Sequence, residues 1–349
     1  MDPQLHPRTM APNLIDHFYR GGDRIAALRG IEQSNPFQPE EWLAATVPRA
    51  GEGEIGLAST TDGELLRDLV AADPEAWIGP GHSLAARPSD TGVLVKLLDA
   101  RQRLPVHVHP ARAFALSHLD CPYGKTESWL VLDAEPGSAF HLGWSEAVDP
   151  DELDRRRDAQ DSEWMLARMN RFEARRGMGV LVPAGTVHAV DAGIFVAEVQ
   201  EPTDFSLLLE WSVTTSTRDE SHLDLGFDTA MGAVSTSALT DIDALVRSND
   251  LDSPASGAAR LLPPTADAYF RLDRAGAGAE FDAGFAVVLA LADTVLHGAS
   301  GETVSAARGD VLAVPAAFGP WRTEGTEANL IVHRPGSGWP QTLGDSDVA

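Results

Sequence analysis

Two histidines in a short alternating segment constrain the fold of this chain more than any other feature. From residue 104 to residue 112 the sequence is Leu-Pro-Val-His-Val-His-Pro-Ala-Arg, so His107 and His109 are two residues apart. Side chains two apart in a β-strand point to the same face of the sheet. The segment therefore predicts a strand that presents two imidazoles on one face.

Two later residues offer donor atoms of a similar kind. Glu127 follows after a loop, within the sequence Tyr-Gly-Lys-Thr-Glu-Ser-Trp, and His188 follows a Pro-Ala-Gly turn. Imidazole nitrogens and carboxylate oxygens are ligands of borderline divalent metals. The alternative is a buried cluster held together by hydrogen bonds alone. The predicted mononuclear metal site has four ligands: His107, His109, Glu127 and His188.

The overall charge excludes some classes of function. The 349 residues include 27 basic and 52 acidic side chains, which gives a net charge of -25. So acidic a chain is poorly suited to binding nucleic acid or an anionic membrane. Cys121 is the only cysteine, so no intramolecular disulfide can form, and no apolar run reaches the roughly 18 residues of a membrane span. These features predict a cytoplasmic protein and leave its oligomeric state open.

From residue 92 onward the sequence predicts mainly antiparallel β-structure. Short apolar runs recur between turn residues, as in Val93–Leu98, Ser128–Leu132 and Gly179–Val182. This spacing is typical of a barrel or sandwich. Earlier segments predict helices: Thr61–Ala72 carries a capping pattern, and Pro39–Trp42 has the proline and acids of a first helical turn.

A weak internal repeat indicates two barrels of one kind. Arg176-Gly-Met-Gly-Val-Leu-Val-Pro-Ala-Gly185 is similar to Arg308-Gly-Asp-Val-Leu-Ala-Val-Pro-Ala-Ala317. The second copy has Gly-Pro-Trp at residues 319–321 where the first has its histidine, so the second barrel is predicted to bind no metal there. The predicted division is a mixed N-terminal segment packed on the first barrel (1–90), a metal-binding barrel (91–215) with a helical insertion (149–170), a helical or irregular connector (216–256) and a degenerate second barrel (257–349).

These motifs resemble those of the cupin superfamily. The His-Val-His segment with Glu127 is similar to its first motif, and Pro-Ala-Gly with His188 is similar to its second. Longer blocks resemble type I mannose-6-phosphate isomerases, namely Val106-His-Val-His-Pro110, Gly124-Lys-Thr-Glu-Ser-Trp129 and Glu198-Val-Gln-Glu-Pro-Thr-Asp204. The resemblance implies a mainly β fold of two cupin-type jelly-roll barrels with helical insertions and connections.

The resemblance also implies an activity and a metal. The family binds one zinc through a glutamine, two histidines and a glutamate, and His107 stands at the glutamine position here. Three imidazoles and one carboxylate make Fe2+, Mn2+ or Ni2+ credible beside Zn2+. The expected function is metal-dependent aldose–ketose isomerisation. Mannose 6-phosphate and fructose 6-phosphate, or a closely related sugar, are the first candidates as substrate and product.

Three residues are predicted to act on the substrate. Glu198 matches the family's acid, and Lys125 matches a family site residue two positions before Glu127. The family's arginine, ten residues after the acid, is replaced by Leu208, so Arg112 or Lys125 becomes the candidate to supply that charge. The predicted catalytic set is Lys125, Glu198 and Arg112. Alternative functions are isomerisation of an unphosphorylated sugar, an iron-dependent cupin oxygenase, or a non-catalytic sugar-binding cupin.

Overall fold

Four antiparallel sheets build two barrels in the computed structural model, which describes residues 6–80 and 87–339. The strands are β1 Arg8–Thr9, β2 Leu14–Ile15, β3 Glu40–Leu43, β4 Leu94–Asp99, β5 His107–Val108, β6 Glu127–Ala134, β7 Ala139–Trp144, β8 Met169–Glu173, β9 Met178–Val182, β10 His188–Val190, β11 Ile194–Gln200, β12 Leu207–Leu208, β13 Val246–Ser248, β14 Ala258–Arg260, β15 Phe270–Ala275, β16 Glu280–Phe281, β17 Ala286–Ala290, β18 Thr294–Gly298, β19 Thr303–Ala306, β20 Val311–Val314, β21 Trp321–Glu324 and β22 Leu330–Pro335. The α-helices are α1 Arg24–Arg29, α2 Leu66–Ala72, α3 Pro74–Ile78, α4 Arg112–His118, α5 Pro150–Asp158, α6 Ser162–Ala167 and α7 Phe227–Ala230.

The first barrel consists of a seven-stranded and a five-stranded sheet. Their strand orders are β13-β9-β6-β11-β4-β3-β2 and β12-β5-β10-β7-β8. The two sheets close on an apolar interior in which the rings of Trp129 and Phe140 stack 4.7 Å apart. The second barrel pairs the sheets β1-β20-β17-β22-β15-β14 and β16-β21-β18-β19. The mainly β, two-barrel cupin fold expected from the sequence is confirmed.

The largest core lies between the two barrels. The outer face of the seven-stranded sheet, with Leu132 and Ala197, packs in one cluster with Leu272 and Ile331 of the six-stranded sheet. Alternation along each strand thus sends one set of side chains into a barrel and the other set into this shared core. The interior of the second barrel is filled by apolar side chains, among them Trp321.

The N-terminal segment contributes strands to both barrels. β2 and β3 extend the seven-stranded sheet beside β4, while β1 pairs with β20 of the second barrel. The helical start predicted for Pro39–Trp42 is wrong, because β3 runs through it and is held by its register with β4. Backbone pairing across a sheet overrides a first-turn pattern when both strand faces are buried. The four-part division of the chain remains a prediction.

The helical segments are short, and three of the described α-helices, α3, α5 and α6, are capped by an aspartate side chain. The helix predicted over Thr61–Ala72 begins only at Leu66, since the preceding backbone forms bridges at Thr60 and Leu65. The predicted insertion contains α5 and α6, each with an aspartate cap, and ends where β8 begins at Met169. Within the described ranges no helix is both long enough and apolar enough to cross a membrane.

A buried ion pair ties the N-terminal segment to the second barrel. Arg29 Nε lies 2.9 Å from Glu41 Oε1, and these side chains are 4% and 1% exposed. The same guanidinium donates to the carbonyl oxygens of Gly309 and Met10. Burial raises the pKa of Glu41, and the arginine opposes that shift. Removing the arginine would leave a carboxyl group in the core without its partner.

We therefore expect Arg29→Leu to lower the free energy of unfolding by about 3 kcal/mol, because one partner of a buried pair is lost. Denaturant titration would measure this, with the exposed Arg101→Leu as the control, expected to change stability by less than about 0.5 kcal/mol. Equal stability losses for the two variants would show that the Arg29 pair does not join the barrels as described.

Candidate metal centre

Strand pairing in the first barrel brings the three predicted histidine ligands together. His107 on β5 stands directly opposite His188 on β10, and His109 follows at the end of β5. Val106 and Val108 lie on the other side of the strand, in a separate apolar cluster. The predicted alternation is present, and the ligand-capable nitrogens of the three imidazoles lie within 4.8 Å of one another.

Backbone carbonyls fix the orientation of all three rings. The Nδ1 atoms of His107, His109 and His188 lie 2.8, 2.7 and 2.8 Å from the carbonyl oxygens of residues 105, 205 and 186. A carbonyl oxygen can only accept, so each Nδ1 must carry the hydrogen and each Nε2 keeps its lone pair. Metal-binding histidines are typically held by such outer hydrogen bonds.

Glu127 completes the group from the neighbouring sheet. Its Oε2 lies 3.0 Å from His109 Nε2, and its Oε1 lies 3.4 Å from His188 Nε2. The ammonium of Lys125 sits against the same atoms, 2.7 Å from His109 Nε2 and 2.5 Å from Glu127 Oε2. A positive charge is thus already stabilised at this point of the cavity.

The protonation states suit a cation. Burial, followed by the charges of the neighbouring imidazoles, holds the pKa of His107 well below its usual range. Burial, followed by the Lys125 ammonium, lowers the pKa of His109 to about 3. Burial alone would raise the pKa of Glu127, but the Lys125 ammonium and His109 hold it well below its usual range. Neutral imidazoles and an ionised carboxylate are the forms that ligate metals.

The donor set therefore fits a divalent cation. His188 Nε2 is buried and finds no hydrogen-bond partner in the described part of the chain, although a buried nitrogen lone pair normally has one. The three imidazoles converge beside a carboxylate, and within this cluster the Nε2 lone pair of His188 is left without a hydrogen bond. The chemistry of the donors matches that of three-histidine, one-carboxylate sites.

A row of four side chains crosses the seven-stranded sheet beside this centre. Trp42, Lys96, Glu198 and Trp129 are consecutive partners on β3, β4, β11 and β6. Directly opposed residues of antiparallel strands share a face of the sheet. This register places Lys96 and Glu198 side by side on the wall that carries the Glu127 end of β6.

Lys96 is held by carboxylates from two distant segments. Its Nζ lies 3.4 Å from Glu40 Oε2, 3.5 Å from Asp204 Oδ1 and 4.7 Å from the centre of the Trp42 ring. Burial alone would lower the pKa of Lys96, but the carboxylates of Glu40 and Asp204 raise it above its usual range. Tyr19 donates a short hydrogen bond to Glu40 and so holds that carboxylate in place.

Glu198 differs from its neighbours because one of its oxygens is unused. Oε1 is buried and has no hydrogen-bond partner among the described residues. Burial and the nearby Glu127 carboxylate raise the pKa of Glu198 to about 8, while the two lysines oppose the shift. A carboxyl group with such a pKa can both take up and release a proton near neutral pH.

One cavity of about 780 Å³ contains the three-histidine centre and the charged wall, which is the face of the seven-stranded sheet that carries Lys96 and Glu198. Lys125, Glu127, Glu198 and His107 line it together with side chains of the N-terminal segment and of the region after β12. The size is that of a small-molecule site. The N-terminal segment is therefore part of the cavity wall as well as of both barrels.

The cavity includes residues that the sequence reasoning missed and omits one that it proposed. His17, Tyr19 and Glu40 line it, yet no motif marked them. Arg112 begins α4, where its Nε lies 2.6 Å from Glu201 Oε1 and its guanidinium covers the Tyr269 ring, and it is not among the residues that line the cavity. The catalytic role predicted for Arg112 remains a prediction.

One signal in the sequence could have pointed to the charged wall. Lys96 and Lys125 are the only two lysines in the chain, whereas the other 25 basic residues are arginines. Both lysines are buried, at 3% and 4% exposure, and both line the cavity. Lysine is almost never buried without a partner, so two buried lysines in a chain that otherwise uses arginine indicate a selected site.

The described residues form two β-barrels of the cupin type, and the first of them contains a histidine-rich centre. No family model matches the chain. It is 38% identical over 184 residues to a mannose-6-phosphate isomerase from Streptococcus mutans, covering 53% of this chain and 54% of that protein. It is 34% identical over 131 residues to a mannose-6-phosphate isomerase from Bacillus subtilis, covering 37% and 40%. The alignments thus span about half the length of the first relative, and less of the second.

Solved structures match over nearly the whole chain. The mannose 6-phosphate isomerase from Bacillus subtilis superposes with a TM-score of 0.71 at 20% identity, over 94% of this chain and 99% of that one. A variant of phosphomannose isomerase from Salmonella typhimurium superposes with a TM-score of 0.72 at 14% identity, over 95% and 100%. The chain shares the fold of these two structures over nearly its whole length.

We expect His188→Ala to abolish tight metal binding, because the substitution removes one of three converging nitrogens. Metal content of purified, metal-loaded protein would be measured by mass spectrometry. His141→Ala is the control, since His141 is also buried in the first barrel but pairs with Asp191. Equal metal content in His188→Ala and the unaltered protein would refute the site.

Proposed function

We propose that this chain is a metal-dependent aldose–ketose isomerase for a sugar of the mannose and fructose type. The observation that carries the proposal is the unpaired, buried Glu198 carboxyl group beside Lys96, in the cavity that contains the three-histidine centre. The relatives named mannose-6-phosphate isomerase support it, as do the structures with the same fold. Because of those names, mannose 6-phosphate and fructose 6-phosphate are proposed as the first pair to test.

The reaction moves a proton between two neighbouring carbons through a cis-enediol. It needs a base above C1 and C2, and positive charge near the two oxygens as negative charge develops on them. A divalent cation bound at the three histidines and Glu127 would polarise and align those oxygens. Zinc is the first candidate for that cation, with iron, manganese or nickel also compatible with the donors.

The side chains of the cavity supply the other requirements. Glu198 is the proposed base, because it lines the cavity, its Oε1 has no hydrogen-bond partner among the described residues, and its raised pKa allows proton exchange near neutral pH. Lys125 is proposed to donate a hydrogen bond to a substrate oxygen beside Glu127. Lys96 flanks Glu198 across the sheet and stabilises its ionised form after the proton has moved on.

The same charged wall favours an isomerase over the other readings. A cupin oxygenase needs open metal positions and oxygen, but it has no use for two buried ammonium groups around a carboxyl base. A sugar-binding protein without activity would not require a buried carboxyl group with an unused oxygen, since leaving that oxygen unsatisfied costs stability. Oxygen uptake by the iron-loaded protein without sugar isomerisation would favour the oxygenase instead.

Glu198→Gln is expected to lower turnover by at least about 100-fold, because an amide of the same shape cannot accept a proton from carbon. The metal content should stay unchanged, since Glu198 is not among the predicted ligands. Steady-state rates would be measured on protein with matched metal content. The control is Glu163→Gln, which makes the same substitution at an exposed residue. Gln200→Glu is not used because Gln200, although close to Glu198 in sequence, is fully buried. Unchanged turnover in Glu198→Gln would remove it from the mechanism.

The direct test is a panel of aldoses and ketoses, each free and 6-phosphorylated, with the metal-loaded protein in deuterated water. Isomerisation should produce the partner sugar and incorporate deuterium at C1 or C2, as an enediol route requires. Chelation should stop the reaction and added metal should restore it. No conversion and no deuterium exchange with any member, at full metal occupancy, would refute the proposed function.

A further inference from the structure

The charges of the cavity bear on the kind of sugar it accepts. Among the described residues three permanently cationic side chains line the cavity, and each already has a carboxylate partner. Lys125 lies 2.5 Å from Glu127, and Lys96 lies between Glu40 and Asp204. A phosphate dianion entering the cavity would have to compete with these carboxylates for every cation.

The third cation, Arg49, lies at the rim and is engaged there. Its Nη1 donates to the carbonyl oxygen of Asp16 at 2.8 Å, and its Nε lies 3.4 Å from Glu52 Oε1. The carboxylates of Asp16 and Glu52 line the cavity beside it, and those of Glu220 and Asp224 lie in the region after β12. All four of these acids are exposed, and all four line the cavity.

Carboxylates outnumber permanent cations in the cavity lining by eight to three, since Glu40, Glu127, Glu198 and Asp204 add to the four rim acids. Protonation of Glu198 and binding of one divalent cation would still leave the carboxylates in excess. The potential of such a cavity repels a dianion and raises the cost of burying it. A neutral polyol meets no such barrier.

The cavity wall around His107 also favours a neutral sugar over a phosphorylated one. Leu208 on β12 pairs with His107, is 4% exposed and lines the cavity. Its side chain offers neither charge nor a hydrogen bond at the position directly beside the centre. The inner wall also carries the carboxylates of Glu40, Glu127, Glu198 and Asp204, whose oxygens accept hydrogen bonds. Sugar hydroxyls are donors, and the free Oε1 of Glu198 is an acceptor already buried at the site.

We propose that the substrate is an unphosphorylated aldohexose of the mannose type, and that its 6-phosphate is discriminated against by the acidic lining of the cavity. This inference rests on the proposed isomerase function and narrows it. The proposed substrate differs from the phosphorylated sugar in the relatives' names. The reason is that the lining of this cavity is acidic, whereas a phosphate dianion requires positive charge. Discrimination arises here from repulsion as much as from contacts with the favoured sugar.

The test compares matched pairs: D-mannose with D-mannose 6-phosphate, and D-fructose with D-fructose 6-phosphate. For each, kcat/KM and the dissociation constant are measured on the full-length, metal-loaded protein, the latter by calorimetry. The free sugars are expected to give kcat/KM values about tenfold or more above their phosphates and to bind more tightly. The penalty on the phosphates should shrink with rising ionic strength, because salt screens the exposed rim acids.

Two variants separate charge from packing. Leu208→Arg should tighten the binding of mannose 6-phosphate by about tenfold, through a new cation beside the centre, while Leu208→Met should leave the preference unchanged. Because Leu208→Arg can perturb the barrel, Asp224→Asn is the second variant. Asp224 is exposed and has a φ of 60°, a conformation that asparagine tolerates. It should improve the phosphate's binding several-fold without affecting the free sugar.

The outcomes separate the two proposals. Higher kcat/KM and tighter binding for the 6-phosphates would overturn this inference while the isomerase function stands. Turnover of neither form would refute the isomerase function, and the dissociation constants would then still decide between a neutral and an anionic ligand. Binding of neither form would overturn the inference as well.

Discussion

The burial of charge inside the first barrel is the constraint on which the site depends. Lys96, Lys125, Glu127 and Glu198 are each less than 5% exposed in an otherwise apolar barrel. Ionised groups at such depth are tolerated only when partners and hydrogen bonds offset their lost hydration. Lys125 and Glu127 satisfy each other, Lys96 draws on Glu40 and Asp204, and Glu198 shifts its pKa upward instead. Among the described residues, the Nε2 atom of His188 is left without a hydrogen-bond partner, and a divalent cation at this centre would satisfy it.

The register of the strands determines where these buried groups lie relative to one another. Because opposed residues share a face, the pairing of β3, β4, β11 and β6 places Glu198 between Lys96 and Trp129. The opposite sheet brings His107 and His188 into register across β5 and β10. Glu198 on one sheet and the histidines on the other leave the space between them for a sugar. The second barrel keeps the same architecture but fills its interior with apolar side chains, so it supports the first barrel through the shared core.

Local sequence patterns predict much of this arrangement, but they do not predict the contacts between distant segments. The alternation around His107 predicts the strand and the direction of its imidazoles, and the repeat of Arg-Gly with Pro-Ala predicts two barrels. Glu40 could not be predicted, because its Pro-Glu-Glu-Trp context has the pattern of a helix start, and only pairing with β4 makes it a strand that faces the cavity. Arg112 was predicted as a substitute for the family's arginine, which Leu208 replaces, and α4 carries it to Glu201. Contacts between segments more than fifty residues apart, such as Lys96 with Asp204, leave no mark in the local sequence.

The central claim is that three imidazoles and Glu127 hold a divalent cation in the cavity shared by Lys96 and Glu198. X-ray diffraction from crystals of the metal-loaded protein, collected on both sides of the metal's absorption edge, tests it directly. The account predicts one anomalous peak at about 2.0–2.1 Å from the Nε2 atoms of His107, His109 and His188, with Glu127 as the fourth ligand. An anomalous peak elsewhere, or none in this cavity when the protein carries one metal per chain, would contradict it.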